Sequence, residues 1–169
     1  VQYMVNESLV AHLKRTVDDK LEEKFRQLLV FTTHEVELTD EQKHQIVHAL
    51  FTCKILDPAC GSGAFPMGML QQMVHILRQV DPNNEQWREV LLDMASDDSR
   101  RAFGIADEEE RNKKLDEIKN TFNNALNSPD YTRKLYIIES CIYGVDIQPI
   151  AMLITRLRFF ITLICEQND

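Results

Sequence analysis

Chemistry in this chain concentrates in Ile55-Leu56-Asp57-Pro58-Ala59-Cys60-Gly61-Ser62-Gly63-Ala64-Phe65-Pro66. It reads as a short apolar strand ending in an acid, a glycine turn, and the start of a helix, which is the layout of a nucleotide-type cofactor site in an α/β protein. Gly61 and Gly63 remove side chains where a backbone must turn sharply or approach a ligand. The helix behind them aims free N–H groups and a partial positive charge at the same spot. A second strand, Cys141-Ile142-Tyr143-Gly144-Val145-Asp146, also ends in an acid.

The residue types choose among cofactors. A phosphate-binding loop needs a Lys after its glycines, and none follows here. A dinucleotide turn needs G-x-G-x-x-G, but the third position is Pro66 and Gly68 comes two residues late. An Asp between strand and turn is also wrong for an anionic pyrophosphate and suits a cationic group. S-adenosylmethionine meets that demand, since it carries an amino group and a sulfonium and no phosphate. Its ribose hydroxyls need an acid from a following strand end, which Asp146 supplies, and Ile147 is placed to pack on the adenine. Asp81 lies at the conventional spacing of about 20 residues from the turn, but it follows a helix and precedes Pro82, so it is read as a helix terminator. The stretch 80–134 is then a helical insertion within the first crossover.

Helical periodicity accounts for most of the remainder. Residues 2–14 and 17–31 carry apolar positions at helical spacing: Met4, Val5, Leu9, Val10 and Leu13, then Val17, Leu21, Phe25 and Leu28. Thr39 with Gln42 forms a capping box for a helix running to about Thr52 that buries Ile46, Val47 and Leu50. Residues 53–57 read as a buried strand, and a second long helix runs from Gly63 or Ala64 to about Gln79, its methionines serving as core packing. Residues 84–127 are charged and helical, and 107–114 is a solvated face. Asn127-Ser128-Pro129-Asp130 is a turn, Tyr131–Ser140 a short helix, and Pro149 opens a last helix. The apolar face of that last helix is Ile150, Leu153, Ile154, Leu157, Phe160, Ile161 and Ile164. Two strands alone do not make a stable parallel sheet, so the chain either relies on its helices or is part of a larger α/β domain. Residues 1–52 form an N-terminal helical segment and 53–169 the cofactor-binding domain.

A net charge of −8 over 169 residues, with a pI of about 5.1, argues against nucleic-acid binding by this chain alone, because phosphate neutralisation dominates such binding. Four cysteines (Cys53, Cys60, Cys141 and Cys165) show no paired metal-ligand spacing and read as reduced, mostly buried thiols. No metal site is expected. No apolar run reaches the length of a membrane span, and the N-terminus lacks the layout of a signal peptide, so a cytoplasmic protein with no membrane partner is expected. The chain does not open with Met, and a segment of a longer protein is the expectation.

Asp57-Pro58-Ala59-Cys60-Gly61-Ser62-Gly63-Ala64-Phe65 resembles the cofactor motif of N6-adenine DNA methyltransferases, and more closely the methylase part of type IIG/IIS restriction–modification enzymes. Ile142-Tyr143-Gly144-Val145-Asp146-Ile147-Gln148-Pro149-Ile150-Ala151 resembles their second motif. Lys134-Leu135-Tyr136-Ile137-Ile138-Glu139 also looks typical, and the opening Tyr3-Met4-Val5-Asn6-Glu7-Ser8 is similar to the segment after the family's most N-terminal motif. The resemblance covers at least 53–80 and 131–165. It implies a helix-rich part of a Rossmann-like, S-adenosylmethionine-dependent methyltransferase domain with few parallel strands. In such a domain Asp57 binds the methionine end, and Pro58, Ala59, Cys60, Gly61, Ser62 and Gly63 wrap it, while Asp146 and Ile147 hold ribose and adenine. The family's catalytic Asn-Pro-Pro-Tyr/Phe element is absent from these residues; Asp81-Pro82-Asn83-Asn84 and Ser128-Pro129-Asp130-Tyr131 do not match it. It is expected beyond Asp169, together with the regions that contact DNA. An RNA or protein methyl acceptor and a non-catalytic helical interaction module are the alternatives, and copies of the chain can pair through exposed apolar helix faces.

Overall fold

The computed structural model describes residues 1–31, 35–105, 107–127 and 129–164. Cys165 and Ser128 of the expected turn lie outside them. Helix α1 (Gln2–Thr16) buries Val5, Leu9, Val10 and Leu13; Met4, read as part of that stripe, is exposed. The helix expected over 17–31 is shorter. Asp18 accepts a hydrogen bond from the Lys20 amide and starts a 3₁₀ turn (Asp19–Leu21), and α2 then covers Glu22–Leu28. At the start of α3 (Asp40–Phe51) both halves of the capping box form: Gln42 N donates to Thr39 Oγ1 at 3.2 Å and Thr39 N to Gln42 Oε1 at 3.1 Å. Ile46, Val47 and Leu50 are buried, as the spacing predicts.

Strand β1 is Ile55–Asp57, and α4 (Ala64–Val80) packs its methionines inward. Next come α5 (Glu85–Phe103), α6 (Glu108–Asn127) and α7 (Pro129–Tyr136). Asp107 caps α6 by accepting from the Glu109 and Glu110 amides. The short helix read at 131–140 is therefore α7 followed by a π turn (Ile137–Cys141), which leads directly into β2 (Ile142–Gly144). Last is α8 (Pro149–Ile164).

The strands pair in parallel, Ile55 with Ile142, Leu56 with Tyr143 and Asp57 with Gly144. Pairing continues one step further, with Val145 N donating to Asp57 O at 2.9 Å and Cys60 N to Val145 O at 3.0 Å. These two short strands are the whole sheet among the described residues. The α/β, Rossmann-like fold expected above is thereby corrected: the structure is 75% helical, a small helical domain with no Rossmann-like sheet among the described residues. The physical reason lies in the sequence between the strands. Residues 85–136 are rich in Glu, Lys, Arg, Leu and Ala, which favour helix, and only the two apolar triplets offer strand-forming runs.

One apolar cluster runs through α1–α5, β1 and the π turn, including Leu9, Phe25, Leu50, Phe51, Met73, Ile76, Trp87 and Cys141. Phe51 stacks on Tyr136 with ring centroids 4.1 Å apart and tilts against Trp87 at 4.8 Å. Cys53, Cys60 and Cys141 are free and buried. The apolar face of α8 is left uncovered: Ile150, Leu153, Ile154, Leu157, Phe160, Ile161 and Ile164 are all exposed, and the buried residue of that helix is Thr155. No helix among the described residues is long and apolar enough to cross a membrane.

Candidate functional site

The glycine turn sits at the C-terminal ends of both strands, where parallel strands place ligands. Asp57 ends β1 and folds back on the turn, its Oδ1 accepting from Ala59 N at 3.1 Å. Asp57 Oδ2 has no partner among the described residues. From the other strand, Asp146 reaches across 85 positions of sequence: its Oδ2 accepts from Gly61 N at 2.9 Å, and its Oδ1 from Gln148 N at 2.8 Å. The two acids that the sequence singles out thus meet at one loop. An ionised carboxylate has about four acceptor sites, so each keeps capacity for further donors.

The two glycines are there for different reasons. Gly61 has φ +53°, a left-handed conformation that disfavours side chains, and a Cβ on it would meet nothing within 4 Å. Its face is open. Gly63 has φ +80°, but a Cβ there would lie 2.7 Å from Thr155 Cγ2. Gly63 is buried, and the space its missing side chain leaves is taken by α8.

Several of the turn's own amides are already engaged by the chain itself. Phosphate cradles aim successive amides at one anion. Here Ala59 N is spent on Asp57, Cys60 N on Val145, Gly61 N on Asp146, and Gly63 N on Cys60 O at 2.8 Å. Pro66, in the first turn of α4, has no amide hydrogen. What remains is a loop with carboxylates on both flanks, which favours a cationic ligand group.

The other expected residues fall as follows. Pro58, Ala59 and Ser62 are exposed. Cys60 is buried, its thiol 3.6 Å from Met152 Sδ, and burial raises its pKa above the ordinary thiol value, with Asp57 and Asp146 adding to the rise. Ile147 is 92% exposed, an unsupported apolar side chain beside Asp146. Asp81 is far from this chemistry in role: buried at 4% exposure, it caps α5 by accepting from Gln86 N and Trp87 N. It also holds the fully buried Arg133, whose Nη2 donates to Asp81 Oδ2 at 3.2 Å and Asp81 O at 3.0 Å. Burial pushes the Arg133 pKa down and Asp81 opposes it.

Two residues that sequence reasoning missed complete the loop. Thr155 Oγ1 donates to Gly61 O at 3.0 Å, and Arg158 Nη1 donates to Ser62 O at 2.8 Å. Their signal in the sequence is faint: one of two threonines and one of two arginines in a mostly apolar helix, three residues apart and so on neighbouring positions of its surface. Against known proteins, the chain matches no family model, no curated protein and no solved structure.

Proposed function

We propose that this chain is the S-adenosylmethionine-binding part of a DNA adenine-N6 methyltransferase of a restriction–modification system. The observation that carries the reading is the convergence of Asp57 and Asp146 on Gly61, at the ends of two parallel strands. Asp57, with one oxygen free of partners, is the acceptor for the cofactor's amino group. The backbone from Pro58 through Ala59, Cys60, Gly61 and Ser62 to Gly63 wraps the methionine portion, and the open face of Gly61 admits it. Asp146 keeps acceptor capacity for ribose hydroxyls, and the exposed Ile147 offers an apolar surface to adenine. Bound there, the cofactor supplies an electrophilic methyl on its sulfonium.

No residue here fills the role of the family's Asn-Pro-Pro-Tyr/Phe element, which orients a flipped-out base for methylation. In this reading that element and the DNA-contacting surface come from sequence beyond Asp169, in keeping with the net charge of −8. The test is nucleoside mass spectrometry of DNA incubated with S-adenosylmethionine and the complete protein carrying this sequence. N6-methyladenine is the expected product. Methyl groups found on RNA or on protein, with none on DNA adenine, overturn the reading.

A second reading, a non-catalytic helical interaction module that pairs with a further copy or another protein, is favoured by one observation: the exposed apolar face of α8. It predicts association through Leu157 and its neighbours and no cofactor affinity.

A further inference from the structure

Helix α8 is seated the wrong way round for an amphipathic helix. Its large apolar side chains face solvent, and the residue it buries is a threonine at 5% exposure. Hydroxyls within helices normally bond back to the carbonyl four residues earlier. Thr16, Thr52, Ser99 and Thr162 all do so, to His12, His48, Ala95 and Arg158. Thr155 instead donates to Gly61 O, 94 residues away in sequence. Its methyl occupies the space against Gly63 that a side chain there would fill. The Gly61 residue is therefore gripped at both polar ends, its N–H by Asp146 at 2.9 Å and its C=O by Thr155 at 3.0 Å. One residue on, Arg158 holds Ser62 O.

We propose that Thr155 is a positioning residue of the cofactor loop: it fixes the left-handed Gly61 so that the open face of the loop and the free oxygen of Asp57 present a preformed surface to S-adenosylmethionine. Arg158 assists by fixing the next carbonyl. The inference rests on the cofactor reading above for its ligand, and on the loop geometry alone for its mechanical part. Preorganisation of this kind raises affinity by sparing the ligand the work of ordering the loop. Loss of one such hydrogen bond weakens binding by about 3- to 10-fold.

Three variants of the full chain separate the roles of the hydroxyl and the methyl. Thr155→Val keeps the shape and removes the donor; Thr155→Ser keeps the donor and removes the methyl; Arg158→Met removes the second grip. Two readouts are taken on each: affinity for S-adenosylmethionine by calorimetry, and amide hydrogen exchange at Gly61 and Gly63 without ligand. Expected are faster exchange and about 3- to 10-fold weaker binding in Thr155→Val, near-complete rescue of both in Thr155→Ser, and a smaller loss in Arg158→Met. Unchanged exchange in Thr155→Val overturns the proposal, as does faster exchange with unchanged affinity. If the wild-type chain binds no S-adenosylmethionine, the cofactor reading fails, while the exchange arm still decides whether Thr155 holds the loop. Thermal melting of Thr155→Val and Thr155→Ser identifies any global unfolding, and rescue by serine is the outcome that a packing role alone does not produce.

Discussion

Around Asp81 and Arg133 the chain takes its charges out of water; around Asp57 and Asp146 it leaves them half in solvent. The first pair lies among Trp87, α4 and α7, and the Asp81 carboxylate is consumed by two amides and a guanidinium. The second pair takes only backbone amides and keeps an oxygen free. Apolar cover follows the same division: α1–α5 bury Leu, Ile, Phe and Met side chains, whereas α8 and the outer strand face leave Leu56, Tyr143, Val145 and Leu157 exposed. Acids of one type thus do two jobs. A carboxylate whose acceptors are all taken is part of the scaffold, and one with spare acceptors beside an open glycine is available to a ligand.

That contrast is broken first at its scaffold end. Asp81→Ala strips the partner from a fully buried guanidinium and uncaps α5. Removing one member of such a pair costs about 3–5 kcal/mol, read as a lowered urea midpoint; Arg133→Met strands the buried Asp81 carboxylate instead, but the Gln86 and Trp87 amides still hold it, so that variant costs less. A loss under about 1 kcal/mol for Asp81→Ala would remove this residue from the scaffold.

Next in size is the pairing of Leu50→Ala with Leu157→Ala. The former opens a cavity in the core and costs about 2–5 kcal/mol. The latter, on the exposed face of α8, changes monomer stability by less than about 0.5 kcal/mol. Equal effects would mean that α8 packs in solution.

Smaller still is Thr39→Ala, which removes the capping box of α3 and costs about 1 kcal/mol. Its effect sharpens the comparison by showing what one exposed cap contributes without burial.

A last effect, confined to alkaline solution, is one of pH. Burial raises the Cys141 thiol from 9.0 to about 12. The native state therefore holds its proton where the unfolded chain has lost it. Stability from this group is complete below pH 9 and is lost as pH rises from 9 towards 12. The urea midpoint of the wild type falls over that window, and it falls less in Cys141→Val. Cys53, Cys60 and Tyr136 are shifted the same way, so the slope is reduced and not abolished.

Local signals were readable from residue types alone. Thr39 and Gln42 announced their capping box, Pro149 opened α8, and the strands expected before Asp57 and before Asp146 paired in the sheet as Ile55–Asp57 and Ile142–Gly144, because each depends on neighbours a few positions away. The tertiary environment was not readable in this way. An apolar stripe such as Ile150-Leu153-Leu157 states that a face wants cover and does not state whether cover is present. The short strands invited a larger sheet that the described residues do not form. At the site, the acids and glycines were visible because their types are unusual in a strand–turn–helix sequence. Thr155 and Arg158 were not, since their partners lie 94 and 96 residues away and no local pattern marks them.

Calorimetric titration of the wild-type chain and Asp57→Ala with S-adenosylmethionine, and of the wild type with ATP, tests the central claim most directly. The account predicts saturable binding of S-adenosylmethionine, at least about tenfold weaker binding in Asp57→Ala, a difference of about 1.4 kcal/mol, and no binding of ATP. Binding of ATP in place of S-adenosylmethionine, or an affinity unmoved by the loss of the Asp57 carboxylate, would contradict it.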